Sequence, residues 1–425
     1  MQPVTPSNFD ASSFISPPGS PVLLPAEKSS SLTDNTIPVS QQKNAAAKGS
    51  VRVVEIRSLS DLQSIRQAWL NLLEQTPGAD FFQTPYWLET YMQHVGDDTE
   101  LKVLVIYEGA QATGILPLVI APYQCSLGQF RVLTYPLDWW GTFFGPVGAN
   151  PDEILRTGLD WIQQQPRDWD FLELRFVNDF GVADSGESDR TLDVLQQVGF
   201  GSIVKEPMFH CARIDLSNVT WDEYLAGRRK SWKTNIRRTE NKSRKLGEVE
   251  HIRFRPEAGE QDPRWDWYEE CCRLSRLSWQ GKSDNTQTFA HPNVDPFLRA
   301  LHQRAVSEGC VDMNLLMIDG KAVAYHYGYH FNGYFSSLRL GFDPEFSKPG
   351  VGTVLTSRMI QDCIQRGDHT FDFLPDCLKA KLAWQTSVDV GYRYTHFPSS
   401  LSRGGLLKLK RWFDRDVRKK TIVAT

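Results

Sequence analysis

Gly341-Phe342-Asp343-Pro344-Glu345-Phe346-Ser347-Lys348-Pro349-Gly350-Val351-Gly352-Thr353 is the stretch on which the reading of this chain turns. Before it, Tyr334–Leu340 is an apolar and aromatic run that reads as a strand. After it, Val354, Leu355, Met359, Ile360 and Ile364 recur at helical spacing, so a helix is expected from about Thr353 to Arg366. A strand, a Gly/Pro loop and a helix start gather unpaired backbone N–H groups and the positive end of a helix dipole, which suits an anion. Glycine lets a diphosphate approach the backbone closely. Thr353 offers a hydroxyl and Lys348 a charge, so Lys348, Gly350, Val351, Gly352 and Thr353 are the candidate cofactor-binding residues. The spacing is neither that of a Walker loop nor G-x-G-x-x-G, so nucleotide hydrolysis and dinucleotide binding are not indicated.

Four further features surround this loop. Phe371-Asp372-Phe373-Leu374 puts an acid in a closing strand, where Asp is disfavoured and needs a partner if buried; Lys381 is the candidate partner. Asp372 and Lys381 are candidate catalytic residues, the carboxylate orienting or deprotonating an amine. Tyr325-His326-Tyr327-Gly328-Tyr329-His330 alternates, with the tyrosines on one face and the histidines on the other. His326 is a candidate acid or base near neutral pH, and Tyr325 a substrate contact. Arg228–Lys245 carries nine cations in 18 positions, with Arg237 and Arg238 near its middle and expected to reach inward to a substrate. Asp138-Trp139-Trp140-Gly141 and Phe143-Phe144-Gly145-Pro146 form an aromatic, Gly-rich loop. It walls a ligand cleft through Trp140, or it plugs an interface.

The pattern around the loop repeats an earlier one. In the first half a strand at Val51–Ile56 is followed by helices over about Ser60–Gln75 and Pro85–Val95. A hairpin at Leu101–Tyr107 and Gln111–Ile120, an edge at Val132–Tyr135, a helix at Pro151–Gln165, a strand at Phe171–Phe176 and a helix at Thr191–Val198 complete it. The second half has helices at Trp221–Lys245, Trp265–Gln280 and Pro296–Glu308. A hairpin follows through Asp319-Gly320, a second turn at Asn332-Gly333, the loop and its helix, and a strand at Thr370–Leu374. The expected fold is α/β (α+β), with two tandem domains at 51–215 and 216–400. Each has a mixed, mainly antiparallel sheet flanked by helices. Residues 1–50, rich in Ser, Pro, Gln and Asn, are expected to be a disordered tail. Residues 401–425 are expected to form a basic helix that docks on the domain, with peripheral contact to an anionic membrane as the alternative.

Composition bounds the function. A net charge of −4 over 425 residues argues against a dedicated DNA binder. Seven cysteines, without CxxC or zinc spacing, read as reduced thiols and give no metal site. No apolar run reaches the roughly 18–20 residues needed to cross a bilayer. No secretory signal is visible, so a cytoplasmic protein is expected.

Taken together these features resemble the GNAT superfamily of N-acetyltransferases, and within it the CelD-like branch associated with cellulose or polysaccharide biosynthesis. The resemblance rests on Arg237-Arg238 and Gly247, Asp319-Gly320-Lys321, Asp343, Pro349-Gly350 with Leu355, and Phe371-Asp372-Phe373-Leu374 followed by Lys381 and Trp384. It runs from about Val51 to Pro398. It implies acetyl-CoA or another acyl-CoA as co-substrate, with the diphosphate at Gly350–Thr353. It also implies transfer to an amine, on a small molecule or glycan, with no covalent enzyme intermediate. Asp376 and Cys377 stand where relatives commonly carry Gly and an acid, which leaves the acceptor open. Fem-type aminoacyl-tRNA transferases share the duplicated fold. Those of the classical type have a coiled-coil insertion, and 262–311 shows no sustained heptads, which weighs against tRNA as a partner. A non-catalytic scaffold on the same fold is the third reading.

Overall fold

Three hairpin turns are specified by residues that accept a left-handed backbone. Asp319 and Gly320 have φ of 46° and 78°, Asn332 and Gly333 have 45° and 76°, and Gly109 has 62°. Two consecutive positive φ values match the right-handed twist of the strands they join. The computed structural model describes residues 51–96, 98–138, 140–178, 189–278, 289–375 and 378–398. The expectations for 1–50, 401–425, Trp139, Asp376 and Cys377 lie outside the described residues.

The first half runs β1 (Val51–Ile56), α1 (Leu59–Ser64), α2 (Arg66–Leu73), α3 (Pro85–His94), β2 (Glu100–Glu108), β3 (Gln111–Cys125), β4 (Gly128–Thr134), α4 (Pro151–Gln164), β5 (Phe171–Val177), α5 (Arg190–Gln197) and β6 (Ile203–Asp215). The second runs α6 (Trp221–Ala226), α7 (Lys230–Arg244), β7 (Val249–Phe254), α8 (Trp265–Leu277), α9 (Asp295–Ser307), β8 (Val311–Ile318), β9 (Lys321–Phe331), β10 (Tyr334–Phe342), α10 (Val351–Arg366), β11 (Thr370–Asp372), α11 (Leu378–Lys381) and β12 (Ser387–His396). The fold class is as expected, a mixed, mainly antiparallel sheet flanked by helices. One helix differs. The run Trp221–Lys245 is broken at Gly227–Arg229 into α6 and α7, because Arg229 is extended at ψ 139°.

All twelve strands form one sheet, in the order β1-β2-β3-β4-β5-β12-β6-β11-β10-β9-β8-β7. Read from either end, this order is the same if β1 to β5 are matched with β7 to β11, and β6 with β12. The two halves are thus copies related by a pseudo-two-fold axis, and each lends its last strand to the other. β12 pairs with β5 and β6, while β6 also pairs with β11. The duplication extends to detail. The parallel pairs β4·β5 and β10·β11 each have three rungs, ending at Thr134↔Glu173 and Ser336↔Asp372. Register shifts recur near the hairpin turns, at Ile106/Tyr107 and Leu316/Met317.

Aromatic packing seals the junction. Phe81, in the first half, stacks on Tyr329 of the second with centroids 4.2 Å apart. Trp87 and Trp140 both meet Phe297 edge-on, at 5.6 and 5.1 Å. Such pairs contribute about 0.5–1.5 kcal/mol each beyond their buried area.

Because β12 sits between β5 and β6, residues 51–215 produced alone leave both strands with an open edge. This fragment is expected to aggregate or stay molten. Co-production with 216–398 should restore a monodisperse complex, measured by gel filtration and near-UV circular dichroism. A soluble, fully folded 51–215 fragment would show the interleaving to be dispensable.

Candidate functional site

Beyond Ser336↔Asp372, β10 and β11 part and leave a wedge. β10 bulges between Ser336 and Arg339, so the face alternation slips by one residue. Phe335, Ser337 and Leu340 thus serve the face that α10 covers. Leu338 and Arg339, though adjacent, both serve the opposite face, the one that buries the Tyr325–Tyr329 side chains.

α10 starts at the mouth of this wedge. Its N-cap, Gly350, is left-handed at φ 82° and makes no side-chain cap bond. A Cβ on Gly350 would lie 2.6 Å from Thr239 Cγ2, so α7 presses against the helix start. Arg358 of α10 binds Glu240 of α7 at 2.6 Å and fixes that contact. Val351 is buried, Gly352 and Thr353 are half-buried, and Lys348 is exposed. The candidate donor residues are therefore brought together at an uncapped helix N-terminus, which attracts an anion.

α7 corrects one expectation. Its inward face is Ile236, Thr239 and Ser243, while Arg237 and Arg238 are exposed. Small side chains are needed where α7 meets Gly350, and the cations are left to solvent. Arg238 hydrogen-bonds Asn235 at 2.8 Å on that outer surface.

His326 lies under α10, edge-on to Phe335 and Phe371 at 5.7 and 5.9 Å. Its Nε2 bonds the Ser337 hydroxyl in the bulged strand. Nδ1 has no partner among the described residues. Burial pushes the imidazole down to about 3. That corrects the expectation of proton exchange near neutrality: His326 is a neutral ring suited to orienting Ser337. Tyr325 is buried on the other face, with Phe289 5.9 Å away.

Asp372 is fully buried on the Tyr face. It accepts from Tyr334 Oη at 2.6 Å, Cys211 Sγ at 2.9 Å and the Leu374 N–H at 2.7 Å. Its ion pair is with Arg213, 3.7 Å away. Lys381 does not fill that role. Its ammonium donates to the carbonyls of Phe373, Leu374 and Pro375 at 2.7, 3.0 and 2.8 Å, where β11 leaves the sheet. Arg213, which sequence reasoning missed, also binds Asp389 at 2.7 Å and Tyr334 at 2.6 Å. Asp80, equally missed, is a buried helix-capping acid that accepts from the Phe82 N–H at 2.9 Å. Burial, then the charge of Asp372, lifts its carboxyl to about 8.

Trp140 sits in the interface, 2% exposed, with the Arg339 guanidinium 5.7 Å from its ring. The aromatic loop is thus an interface plug at this point. In the first half the matching loop turns back into its own sheet. Phe144 N–H binds Phe176 O at 2.9 Å, and Val147 pairs with Ile115. The matching helix, α4, opens with Pro151, Asp152 and Glu153, whose charges repel phosphate. No group of three or more His, Cys, Asp or Glu side chains is placed to hold a metal among the described residues. No helix among them is long and apolar enough to cross a membrane.

Residues 230–382 match the family described as "Acetyltransferase (GNAT) domain". That range spans α7 to α11 and holds the whole of the wedge. Among solved structures, that of FemX superposes with a TM-score of 0.56 at 10% identity, covering 82% of this chain and 97% of that one. A tandem GNAT protein from the clavulanic acid biosynthesis pathway gives 0.46 at 12% identity, covering 83% and 100%. L-PGS from Bacillus licheniformis gives 0.47 at 12%, covering 77% and 90%. No curated protein matches the sequence. Residues 230–382 thus match a GNAT acetyltransferase domain, and the chain shares its overall fold with FemX.

Asp80 gives a pH test. The fold holds a proton that the unfolded chain releases near its ordinary value of 3.8. Its contribution to stability is complete below pH 4 and is lost as pH rises towards 8. Asp80→Asn should flatten the fall in melting temperature between pH 5 and 9, and should melt several degrees above the unsubstituted protein at pH 9. An unchanged slope would mean that Asp80 is ionised in the fold.

Proposed function

We propose that the chain is an acyl-CoA-dependent N-acyltransferase, with acetyl the simplest acyl group and an amine, on a small molecule or glycan, as acceptor. The observation that carries this reading is the wedge between two parallel strands opening onto an uncapped, glycine-started helix. The diphosphate of CoA lies against the N–H groups of Val351 and Gly352, with Thr353 and Lys348 beside it. Arg237 and Arg238, exposed on α7, raise the local concentration of the anionic donor. The pantetheine arm runs into the wedge. Ser337, held by His326, stands where the strands part and can donate to the thioester oxygen. The amine nitrogen bonds the acyl carbon, the C–S bond breaks, and the CoA thiolate leaves with the electron pair and takes up the proton that the nitrogen releases. Asp372 and Lys381 act by holding β11 in place rather than by touching the amine. The resemblance to the CelD-like branch favours an acceptor in polysaccharide or cell-envelope synthesis and a cytoplasmic site of action.

Gly352 gives the cleanest test. A Cβ there meets only the Phe342 ring, at 3.4 Å, whereas one on Gly350 would strike Thr239. Gly352→Glu should leave the melting temperature within a few degrees and weaken acetyl-CoA binding at least tenfold by calorimetry. The unsubstituted chain should bind one equivalent, because the acidic start of α4 rejects a second. Unchanged affinity in a folded Gly352→Glu variant would sink the donor assignment. Binding of aminoacyl-tRNA without binding of acetyl-CoA would favour the Fem-type reading.

A further inference from the structure

The first-half counterpart of the wedge is shut to a phosphorylated donor, yet it holds an unusual pair of charges. β4 and β5 part after Thr134↔Glu173. Just beyond this rung lie Asp138, on the connecting loop, and Arg175, on β5. Asp138 takes a left-handed backbone at φ 45°, a conformation that few non-glycine residues adopt and that recurs at ligand sites. Both side chains are mostly buried, with 13% and 17% of their surface exposed, so each remains reachable from solvent.

The pair is slack. Arg175 Nη1 lies 4.0 Å from Asp138, its Nε lies 3.8 Å from Glu173, and its hydrogen bond to Thr134 Oγ1 spans 3.4 Å. By contrast, the half-buried Arg66–Glu89 pair closes to 2.6 Å and the buried Arg255–Asp368 pair to 2.7 Å. Asp138 accepts no hydrogen bond among the described residues, and burial accordingly raises its carboxyl, against the pull of Arg175. A half-buried carboxylate and a guanidinium that meet only at these distances keep acceptor and donor positions open to a further ligand. The loop also links them to the second half. Trp140, two residues after Asp138, lies under Arg339, which the bulge in β10 turns to the same face.

We propose that Asp138 and Arg175 hold the distal end of the acceptor, and that this end carries a carboxylate or phosphate for Arg175 beside a hydroxyl or ammonium for Asp138. The inference rests on the acyl-CoA reading for the word acceptor, but the site itself is defined by its own ligand chemistry. Arg175 takes the anion bidentately, as guanidinium does best. Asp138 accepts from the neighbouring donor. The acceptor's other end carries the amine to which the acyl group is transferred.

Calorimetry on the full chain tests this with four probes: glucosamine 6-phosphate, L-lysine, uncharged N-acetylglucosamine and inorganic phosphate, with acetyl-CoA titrated in parallel. The first two should bind at least tenfold more tightly than N-acetylglucosamine, and whichever is tighter tells a phosphate from a carboxylate end. Arg175→Ala should abolish that preference, while Arg175→Lys and Asp138→Asn should each weaken it about tenfold without changing acetyl-CoA affinity. If Arg175→Ala does not fold, the other two variants decide. Failure of all four probes on a chain that binds acetyl-CoA, or probe affinity indifferent to these substitutions, overturns the inference and leaves the donor reading intact. Loss of acetyl-CoA binding in the unsubstituted chain overturns only the donor reading.

Discussion

Arg213 is the point at which the two halves become one molecule. Its guanidinium, on β6, reaches Asp389 on β12 and Tyr334 on β10, and it faces Asp372 on β11. Four strands, one from the first half and three from the second, meet at one buried cation. Removing one member of such a group leaves uncompensated buried charge, at a cost of about 3–5 kcal/mol. The interleaving of β6 and β12 requires this. Neither strand has a continuous apolar face, so polar pairing across the ladder adds to the packing of Phe209, Cys211, Ala212, Ile214 and Tyr394.

That junction also sets the position of the site. β11 is only three residues long and is held by β10 on one side and β6 on the other. Because the Asp372 carboxylate anchors its end, the chain can turn away at Leu374, which adopts a left-handed φ of 57°. The wedge opens there, and Lys381 caps the carbonyls the turn exposes. An acid that looks catalytic in the sequence is thus the hinge pin of the cleft beside it.

Duplication has left two similar wedges with different chemistry. The second keeps a short loop, an uncapped helix and cations nearby. The first has a longer loop that returns to its own sheet, and an acidic helix start. One opens on a helix start that attracts an anion, and the other presents a loosely paired Asp and Arg. The pseudo-two-fold axis sets both wedges in one continuous sheet, and the aromatic loop around Trp140 spans the gap between them.

Local sequence determined much of this protein. The meanders, their turns, the amphipathic α10 and the glycine-started loop all follow from short-range preferences, since periodicity and left-handed turn residues act within a few positions. The alternation Tyr325–His330 likewise assigned its two faces correctly. Three strands were not legible: Ile203–Asp215, Val249–Phe254 and Ser387–His396. The last lies inside the sheet yet carries Asp389, Gly391 and Arg393, because its partners are Arg213 and Glu206 rather than a hydrophobic layer. Which residues pair across 176 positions of chain is decided by the closed sheet alone. The same holds for the inward face of α7, for the neutral state of His326 and for the slack between Asp138 and Arg175. Each depends on what burial removes from water, and that is a property of the assembled fold.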